Sequence, residues 1–155
     1  MKRIMFVCHG NICRSPMAEF VFKDMLRKAG LSDKYTVKSS ATSTEEIFCG
    51  VGNPIYPPAK AELKRRNIPF EDRRAVQLTK GDYNKYDLFL VMDSKNLRNI
   101  HGIFGKDSDC KVKKLLDFAG GGDVADPWYS GNFEKAYNDI YEGCLALLRC
   151  LEGED

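Results

Sequence analysis

The residues best suited to chemistry lie in one stretch of the chain, Cys8-His9-Gly10-Asn11-Ile12-Cys13-Arg14-Ser15. This stretch follows the apolar run Ile4-Met5-Phe6-Val7 and leads into Pro16 and a helical pattern. We expect positive φ at Gly10, with Ser15 as the helix N-cap and Pro16 at the first helical position. The amides of such a loop converge above a helix N-terminus, where partial positive charge favours a phosphate-like anion. The stretch therefore predicts an anion-binding site, and we call it the anion loop (residues 8–15).

Two side chains would make the anion loop reactive. The field of the helix and of the loop amides favours the thiolate of Cys8, which is its nucleophilic form. Arg14 can turn its planar guanidinium back over the loop and hold two oxygens of an anion at once. A cysteine alone would be interpreted as a buried residue at a strand end, and an arginine alone as a surface charge. Their spacing around Gly10 and Asn11 favours a nucleophile placed in a phosphate site.

Asp126 is the third group that could act on the same anion. Pro127 restricts Asp126 to an extended backbone, and the flanking loop can bring its carboxyl over the anion loop. We predict that Asp126 protonates a leaving group and then takes a proton from water, although an Asp-Pro pair alone is more typical of a turn. Trp128 and Tyr129 are predicted to form an aromatic wall for a phenyl ring, with core packing as the alternative.

The remaining cysteines suggest redox chemistry at one position and packing at the others. Cys13 could capture oxidised Cys8 as a disulfide before irreversible over-oxidation, or it could be a small packing residue. Cys110, Cys144 and Cys150 lie on apolar patterns and are predicted to pack in the core. The cysteine spacings do not resemble a zinc site, and the carboxylates do not cluster like a magnesium site. We therefore predict that the protein uses no metal and no cofactor.

The pattern along the chain predicts an α/β fold, because short apolar runs alternate with helical periodicity. The predicted strands are residues 3–8, 35–39, 87–92 and 111–116. The predicted helices run from the anion loop to Gly30, over residues 58–67, over residues 94–101, and from Phe133 to Leu151. Two long irregular segments, 40–56 and 117–130, should border the anion loop, since ligands bind beyond the carboxyl ends of parallel strands.

Size and charge restrict the possible partners and location. The 155 residues fit one domain, which we predict to span residues 1–155. A net charge of +2, with both signs mixed along the chain, gives no reason to expect nucleic-acid or membrane binding. The sequence has no apolar stretch long enough for a signal peptide or a membrane span. We expect a cytoplasmic monomer with reduced thiols.

Residues 8–19, Cys-x5-Arg-Ser-Pro-Met-Ala-Glu, resemble the low-molecular-weight protein tyrosine phosphatase family. The segment Asp126-Pro127-Trp128-Tyr129 matches a second motif of that family near its C-terminus. Further similarity lies in residues 39–43, 52–54, 77–79, 91–93 and 96–98, so the resemblance covers essentially the whole chain. It implies a doubly wound sheet of four parallel strands in the order 2-1-3-4, with helices on both faces. It also implies hydrolysis of phosphotyrosine in signalling proteins through a cysteinyl-phosphate intermediate, with inorganic phosphate as product and inhibitor.

The resemblance also assigns supporting roles. Asn11, Ser15 and Ser40 would hold the anion loop in shape, and Ser15 would assist the thiolate as a leaving group. Asp93 matches a carboxylate near the active site of the family, although an aspartate after a strand is also a common helix N-cap. The chain departs from the family at His9, at Arg73, where many members have a histidine, and in residues 44–51, so substrate preference is the least transferable property.

Three other functions remain open from the sequence. Arsenate reductases share the anion loop but need further cysteines for a disulfide relay, and the segment around Asp93 has none. Protein-arginine phosphatases resemble the chain but carry a small polar residue where it has Ile12. The apolar Ile12 favours an aryl phosphate ester as substrate. A catalytically silent phosphate-binding module is the third alternative, and the presence of Cys8, Arg14 and Asp126 argues against it.

Overall fold

A parallel sheet is built around the strand that precedes the anion loop. The computed structural model describes residues 1–153, so the last two residues of the expected domain lie outside the described part. The strands are β1 (Lys2–Cys8), β2 (Tyr35–Ala41), β3 (Ile47–Phe48), β4 (Val51–Gly52), β5 (Leu88–Val91) and β6 (Val112–Lys114). Four of them form one sheet in the order β2-β1-β5-β6, and all neighbours in it are parallel. The predicted fold class and strand order are confirmed.

The helices follow the predicted pattern with shifted ends. They are α1 (Arg14–Lys28), α2 (Pro57–Arg65), α3 (Ser94–Phe104), α4 (Pro127–Ser130) and α5 (Phe133–Leu151). Short 3₁₀ segments occur at Ser32–Lys34, Lys80–Asn84 and Leu115–Ala119. The antiparallel pair β3-β4 and the single turn α4 were not predicted. Both lie inside the segments predicted as irregular, and both are too short to show a periodic apolar pattern.

Alternation along β1 explains why helices cover both faces of the sheet. Ile4 and Phe6 belong to a core cluster with side chains of α1 and α5. Met5 and Val7 point to the other face and pack with side chains of α3. Because successive side chains of a strand point to opposite faces, a fully apolar strand needs a helical layer on each side.

The cysteine packing prediction holds at one of three positions. Cys144 on α5 is fully buried in the core, as predicted from the apolar residues that recur at helical spacing along α5. Cys110 and Cys150 are exposed, so the prediction is wrong for both. Cys110 lies in a turn with φ of 53°. Cys150 lies in the last turn of α5, where its neighbour Leu151 is the residue that packs against the core.

The sheet order decides what surrounds the anion loop. β1 lies between β2 and β5, and the anion loop follows the carboxyl end of β1. The segment after β2 approaches from one side, and the first turn of α3, directly after β5, approaches from the other. The chain adds β2 on one side of β1 and later adds β5 on the other side, so the strand order reverses at β1. Ligands of α/β folds bind at this point of reversal.

Candidate active site

The local turn of the anion loop differs from the prediction. Asn11 has the positive φ, 59°, and Gly10 does not. Asparagine tolerates this left-handed conformation better than most residues. In this conformation the Asn11 amide donates a hydrogen bond to Cys8 Sγ at 3.3 Å. A Cβ atom at position 10 would lie 3.1 Å from Cγ of Glu46, so a larger residue there would have to displace the Glu46 side chain.

Ser15 does not cap the helix as predicted. Helix α1 begins at Arg14, two residues before the predicted start at Pro16, and its N-cap Cys13 makes no side-chain capping bond. The Ser15 hydroxyl instead lies 3.0 Å from Cys8 Sγ and accepts a hydrogen bond from Asn11 Nδ2 at 2.7 Å. Ser15 is fully buried behind the sulfur, so the sulfur is in contact with a hydroxyl and an amide of its own loop.

Arg14 is buried and oriented by the acceptors around it. Its Nη1 donates to Asp93 Oδ2 at 2.9 Å and to the carbonyl of Val124 at 3.0 Å. Burial alone would lower the pKa of Arg14, but the negative charges of Cys8, Asp93 and Asp126 outweigh it and raise this pKa. Nη1 is therefore held by protein groups, which leaves the edge formed by Nε and Nη2 to face an anion.

Asp93 serves both roles that the sequence left open. Its Oδ1 accepts from the Asn96 amide at 2.7 Å and so caps helix α3. Its Oδ2 accepts from Arg14, as described above. One carboxylate thus links the start of α3 to the guanidinium of the anion loop.

Asp126 lies next to Arg14 at the edge of the site. The closest pair of atoms is Arg14 Nη2 and Asp126 Oδ2, at 3.6 Å, and the Asp126 side chain is one-third exposed. The other oxygen accepts from the Trp128 amide at 3.0 Å, because Asp126 is the N-cap of α4. The preceding residue is held by a bond from its amide to Asp139 of α5, at 3.1 Å. The Asp126 carboxyl is therefore anchored, with one oxygen turned toward the anion loop.

One cavity of about 370 Å³ brings most of the predicted site residues together. Its lining includes Cys8, His9, Gly10, Asn11, Ile12, Cys13, Arg14, Asp126, Trp128 and Tyr129. Ser15 and Ser40 are the predicted residues that do not line it. Trp128 is half-exposed and its ring centroid lies 5.0 Å from that of Tyr56, while Tyr129 is largely exposed. The two aromatic residues stand at the rim, and only Trp128 has an aromatic neighbour behind it.

A buried polar network behind the anion loop contains Ser39 in place of Ser40. Asn11 Nδ2 donates to Ser39 Oγ at 3.0 Å, and Ser39 Oγ donates to Glu19 Oε1 at 2.6 Å. Ser40 Oγ has no hydrogen-bond partner among the described residues. The prediction for Ser40 is therefore not supported by any side-chain contact. Adjacent residues of β2 point to opposite faces, and Ser39 is on the face that meets Asn11.

Arg73 completes this network from the segment after α2. Its guanidinium donates to Asn11 Oδ1 at 2.5 Å, to Glu19 Oε1 at 2.6 Å and to Ser39 Oγ. Lys23 donates to the second oxygen of Glu19 at 2.7 Å. Burial alone would raise the pKa of Glu19, but the bonds from Lys23 and Ser39 and the charge of Arg73 outweigh it and lower this pKa. Glu19 is thus a buried carboxylate balanced by two cations.

Sequence reasoning missed Glu19 and Ser39. A signal for Glu19 existed, because a charged residue interrupts the buried run from Met17 to Phe22 in α1. A carboxylate at such a position requires a cationic partner. Arg73, where many members of the family have a histidine, supplies that cation from a distant part of the chain.

Cys13 differs chemically from Cys8 although both thiols are buried and free. Burial and the negative charges of Cys8 and Asp126 raise the pKa of Cys13 well above its ordinary value. Cys13 therefore stays a neutral thiol near neutral pH and does not compete as a nucleophile.

The described residues contain no group of three or more His, Cys, Asp or Glu side chains arranged to hold a metal ion. Within residues 1–153, none of the helices has the length and apolar character needed to cross a membrane.

Comparison with known proteins gives a consistent result over the whole chain. Residues 3–155 match the family described as "Low molecular weight phosphotyrosine protein phosphatase". The low molecular weight protein-tyrosine-phosphatase YfkJ of Bacillus subtilis is 36% identical over 99% of this chain and 98% of its own. Its crystal structure superposes with a TM-score of 0.92, covering 99% of this chain and 96% of the other.

Two further solved structures are similar. The low molecular weight protein tyrosine phosphatase SP-PTP of Streptococcus pyogenes has a TM-score of 0.86 and 38% identity, covering 97% of this chain and 93% of its own. A variant of the arginine phosphatase YwlE with a phosphorylated active-site serine has a TM-score of 0.81 and 28% identity, covering 97% of this chain and 95% of its own. Enzymes acting on two phosphoamino acids thus share this fold.

Proposed function

This chain belongs to the low molecular weight phosphotyrosine protein phosphatase family, whose members are hydrolases of phosphoric monoesters, and we propose that it hydrolyses phosphotyrosine through a cysteinyl-phosphate intermediate. The observation that carries the proposal is the meeting of Cys8, Arg14 and Asp126 in one cavity. We further propose that one phosphatase domain spans residues 1–155, works as a cytoplasmic monomer and needs no cofactor.

The first step transfers the phosphoryl group to the enzyme. The Cys8 thiolate attacks phosphorus, a sulfur–phosphorus bond forms, and the bond from phosphorus to the phenolic oxygen breaks. Asp126 gives its proton to the departing oxygen, so that tyrosine leaves as a neutral phenol. The free edge of Arg14 and the loop amides hold the equatorial oxygens, where charge is concentrated in a loose transition state. The Asn11 amide at 3.3 Å and the Ser15 hydroxyl at 3.0 Å stabilise the sulfur as an anion.

The second step releases phosphate. Water attacks phosphorus from the side that the phenol has left, and the Asp126 carboxylate takes a proton from that water. The sulfur–phosphorus bond breaks, Cys8 returns to the thiolate, and inorganic phosphate remains in the anion loop until it dissociates. Because phosphate binds the same groups as the substrate, it should inhibit competitively.

An Asp126→Asn variant tests the proton donor. We expect kcat to fall by about 10² to 10⁴ for phenyl phosphate, whose leaving group needs a proton, and much less for p-nitrophenyl phosphate. Asparagine keeps the acceptor that caps Trp128, so α4 should remain in place. The measurement is the dependence of kcat on leaving-group pKa. An equal loss for both substrates would show that Asp126 only positions the loop.

We also propose that Cys13 protects Cys8 from irreversible oxidation. Peroxide converts the Cys8 thiolate to a sulfenic acid, which removes one of the negative charges that raise the pKa of Cys13. The Cys13 thiol then attacks the oxidised sulfur, a disulfide forms, and the sulfenic hydroxyl leaves as water with the thiol proton. Recovery of activity by dithiothreitol after mild peroxide should be much poorer in Cys13→Ser than in the wild type. Equal recovery would identify Cys13 as a packing residue.

A second candidate substrate is phosphoarginine, because the arginine phosphatase YwlE has the same fold. Ile12 argues for the aryl ester, since it presents an apolar side chain to the cavity and is itself almost fully buried. Trp128 and Tyr129 at the rim offer flat surfaces to a phenyl ring. These contacts support phosphotyrosine as the preferred substrate.

Matched peptides that carry phosphotyrosine, phosphoserine or phosphoarginine at one position test the proposed function. We expect kcat/KM for phosphotyrosine to exceed that for phosphoserine by at least about a hundredfold, or about 2.7 kcal/mol. Cavity depth and the acidity of the phenol leaving group both contribute to that difference. Faster cleavage of phosphoarginine would favour the second candidate, and no cleavage of any peptide would favour a silent phosphate-binding module.

A further inference from the structure

The mouth of the cavity carries opposite charges on its two sides. Glu45 and Glu46, in the segment after β2, line one side of the cavity. Lys95, in the first turn of α3 after β5, lines the cavity as well. Because β1 lies between β2 and β5, these charges approach the anion loop from opposite edges. We call Glu45 and Glu46 the acidic side of the mouth and Lys95 its basic side.

The acidic side is held in place by contacts with the anion loop. Glu45 Oε2 lies 2.9 Å from Nε2 of His9, and the Glu45 side chain is largely exposed. Glu46 accepts from the Asn53 side chain at 3.1 Å and packs against Gly10. Residues 39–59 contain no lysine or arginine, so the segment that carries these two glutamates has no cationic side chain of its own.

The basic side is a single lysine whose neighbouring carboxylates have other partners. Asp93 is paired with Arg14, and Asp123 is paired with Lys114 at 2.9 Å. Among the described residues, none forms an ion pair with Lys95. Its ammonium is therefore available to a ligand that crosses the mouth.

We propose that this charge polarity selects phosphotyrosine sites with a basic residue on one flank and an acidic residue on the other, and so sets the direction in which the peptide binds. The inference rests on the proposed function. An extended peptide advances by about 3.3 Å per residue, and charges are screened over about 8 to 10 Å at physiological salt. Only the two or three residues on each side of the phosphotyrosine should therefore contribute.

Two phosphotyrosine peptides of identical composition test the proposal. One carries lysines before and glutamates after the phosphotyrosine, and the other has the reverse order. Their net charges are equal, so any general attraction to the enzyme cancels in the ratio of kcat/KM values. We expect one order to be cleaved at least about fivefold faster at low ionic strength, with the ratio approaching one near 0.5 M salt. A ratio of one at low salt would overturn the inference.

Charge variants assign the preference to the two sides of the mouth. Lys95→Glu should reduce the ratio at least about twofold, and an acidic residue in the first turn of α3 favours folding. The matched control is Lys2→Glu, which changes the net charge equally at the exposed far end of β1 and should keep the wild-type ratio. The double variant Glu45→Gln with Glu46→Gln should also reduce the ratio. If the ratio survives in both mouth variants, these residues do not recognise the flanks.

Hydrolysis of p-nitrophenyl phosphate separates this inference from the proposed function. That substrate has no flanking residues, so its cleavage by the wild type reports on the anion loop and Asp126 alone. Failure to cleave it would refute the proposed function. Cleavage of it together with a ratio of one for the peptides would refute only the charge selection.

Discussion

A Cys8→Ser variant should lose at least about four powers of ten in kcat for p-nitrophenyl phosphate, as expected when the nucleophile of a cooperating set is removed. A serine hydroxyl is protonated at neutral pH, and the two groups that contact the nucleophilic atom are a hydroxyl and an amide, neither of which is a base. Its neighbours, the Asn11 amide and the Ser15 hydroxyl, stabilise an anion that is already formed. The phosphate-binding groups remain, so the variant should still bind phosphotyrosine peptides and retain them.

The matched control for this substitution is Cys150→Ser. Cys150 is exposed on the last turn of α5, far along the chain from the anion loop, and the same atom exchange there should leave kcat unchanged. Retention of more than about a tenth of kcat by Cys8→Ser would remove Cys8 from the mechanism, because a nucleophile carries several powers of ten in rate.

Replacement of Arg14 should have the second largest effect. We expect Arg14→Ala to lose at least about 10³ in kcat, and Arg14→Lys to lose at least about 10², since one preorganised donor to a transition-state oxygen carries about 10² to 10³. Lysine keeps the charge but cannot bond Asp93 and two phosphate oxygens from one planar group. Inhibition by inorganic phosphate should weaken in both variants, because phosphate binds the same edge of the guanidinium.

Folding has to be measured in the same experiment. Arg14 is buried against Asp93, so its removal leaves a partly buried carboxylate without its partner, at a cost of about 3 kcal/mol. A thermal unfolding midpoint that falls while a folded transition remains would separate this cost from the loss of rate. If folded Arg14→Lys kept wild-type kcat, a single point charge would suffice and the bidentate role would be wrong.

The sheet was predictable because each of its strands has a strong local signal. β1 contains the apolar run Ile4-Met5-Phe6-Val7, and α5 shows apolar residues at helical spacing from Phe133 to Leu151, so both were located closely. The strand order came from the resemblance to a family and not from periodicity. The hairpin β3-β4 could not be located, because two-residue strands are defined by their pairing with each other and not by a pattern along the chain.

The reactive groups of the site could be predicted from residue type. The contacts that depend on the exact path of the backbone could not. Cys8, Arg14 and Asp126 were identified by their reactivity, and the structure brings them into one cavity. Ser40 was assigned from the resemblance to the family, and burial does not separate it from Ser39, since their exposures are 1% and 5%. Which of two adjacent strand residues meets Asn11 depends on how the anion loop folds over the sheet. The positive φ was predicted at Gly10 and occurs at Asn11 for the same reason.

The network behind the anion loop has a fixed direction of hydrogen donation. Arg73 and the Val76 amide can only donate, and both point at Asn11 Oδ1, so the Asn11 amide nitrogen must donate to Ser15. The Ser15 hydroxyl then has its one hydrogen free to donate to the Cys8 sulfur. A histidine in place of Arg73 could change its tautomer or lose its proton, whereas a guanidinium stays a donor at every pH that the protein survives. The orientation of the Asn11 amide, and with it the role of Ser15 as a donor toward the sulfur, is therefore set by two groups that only donate.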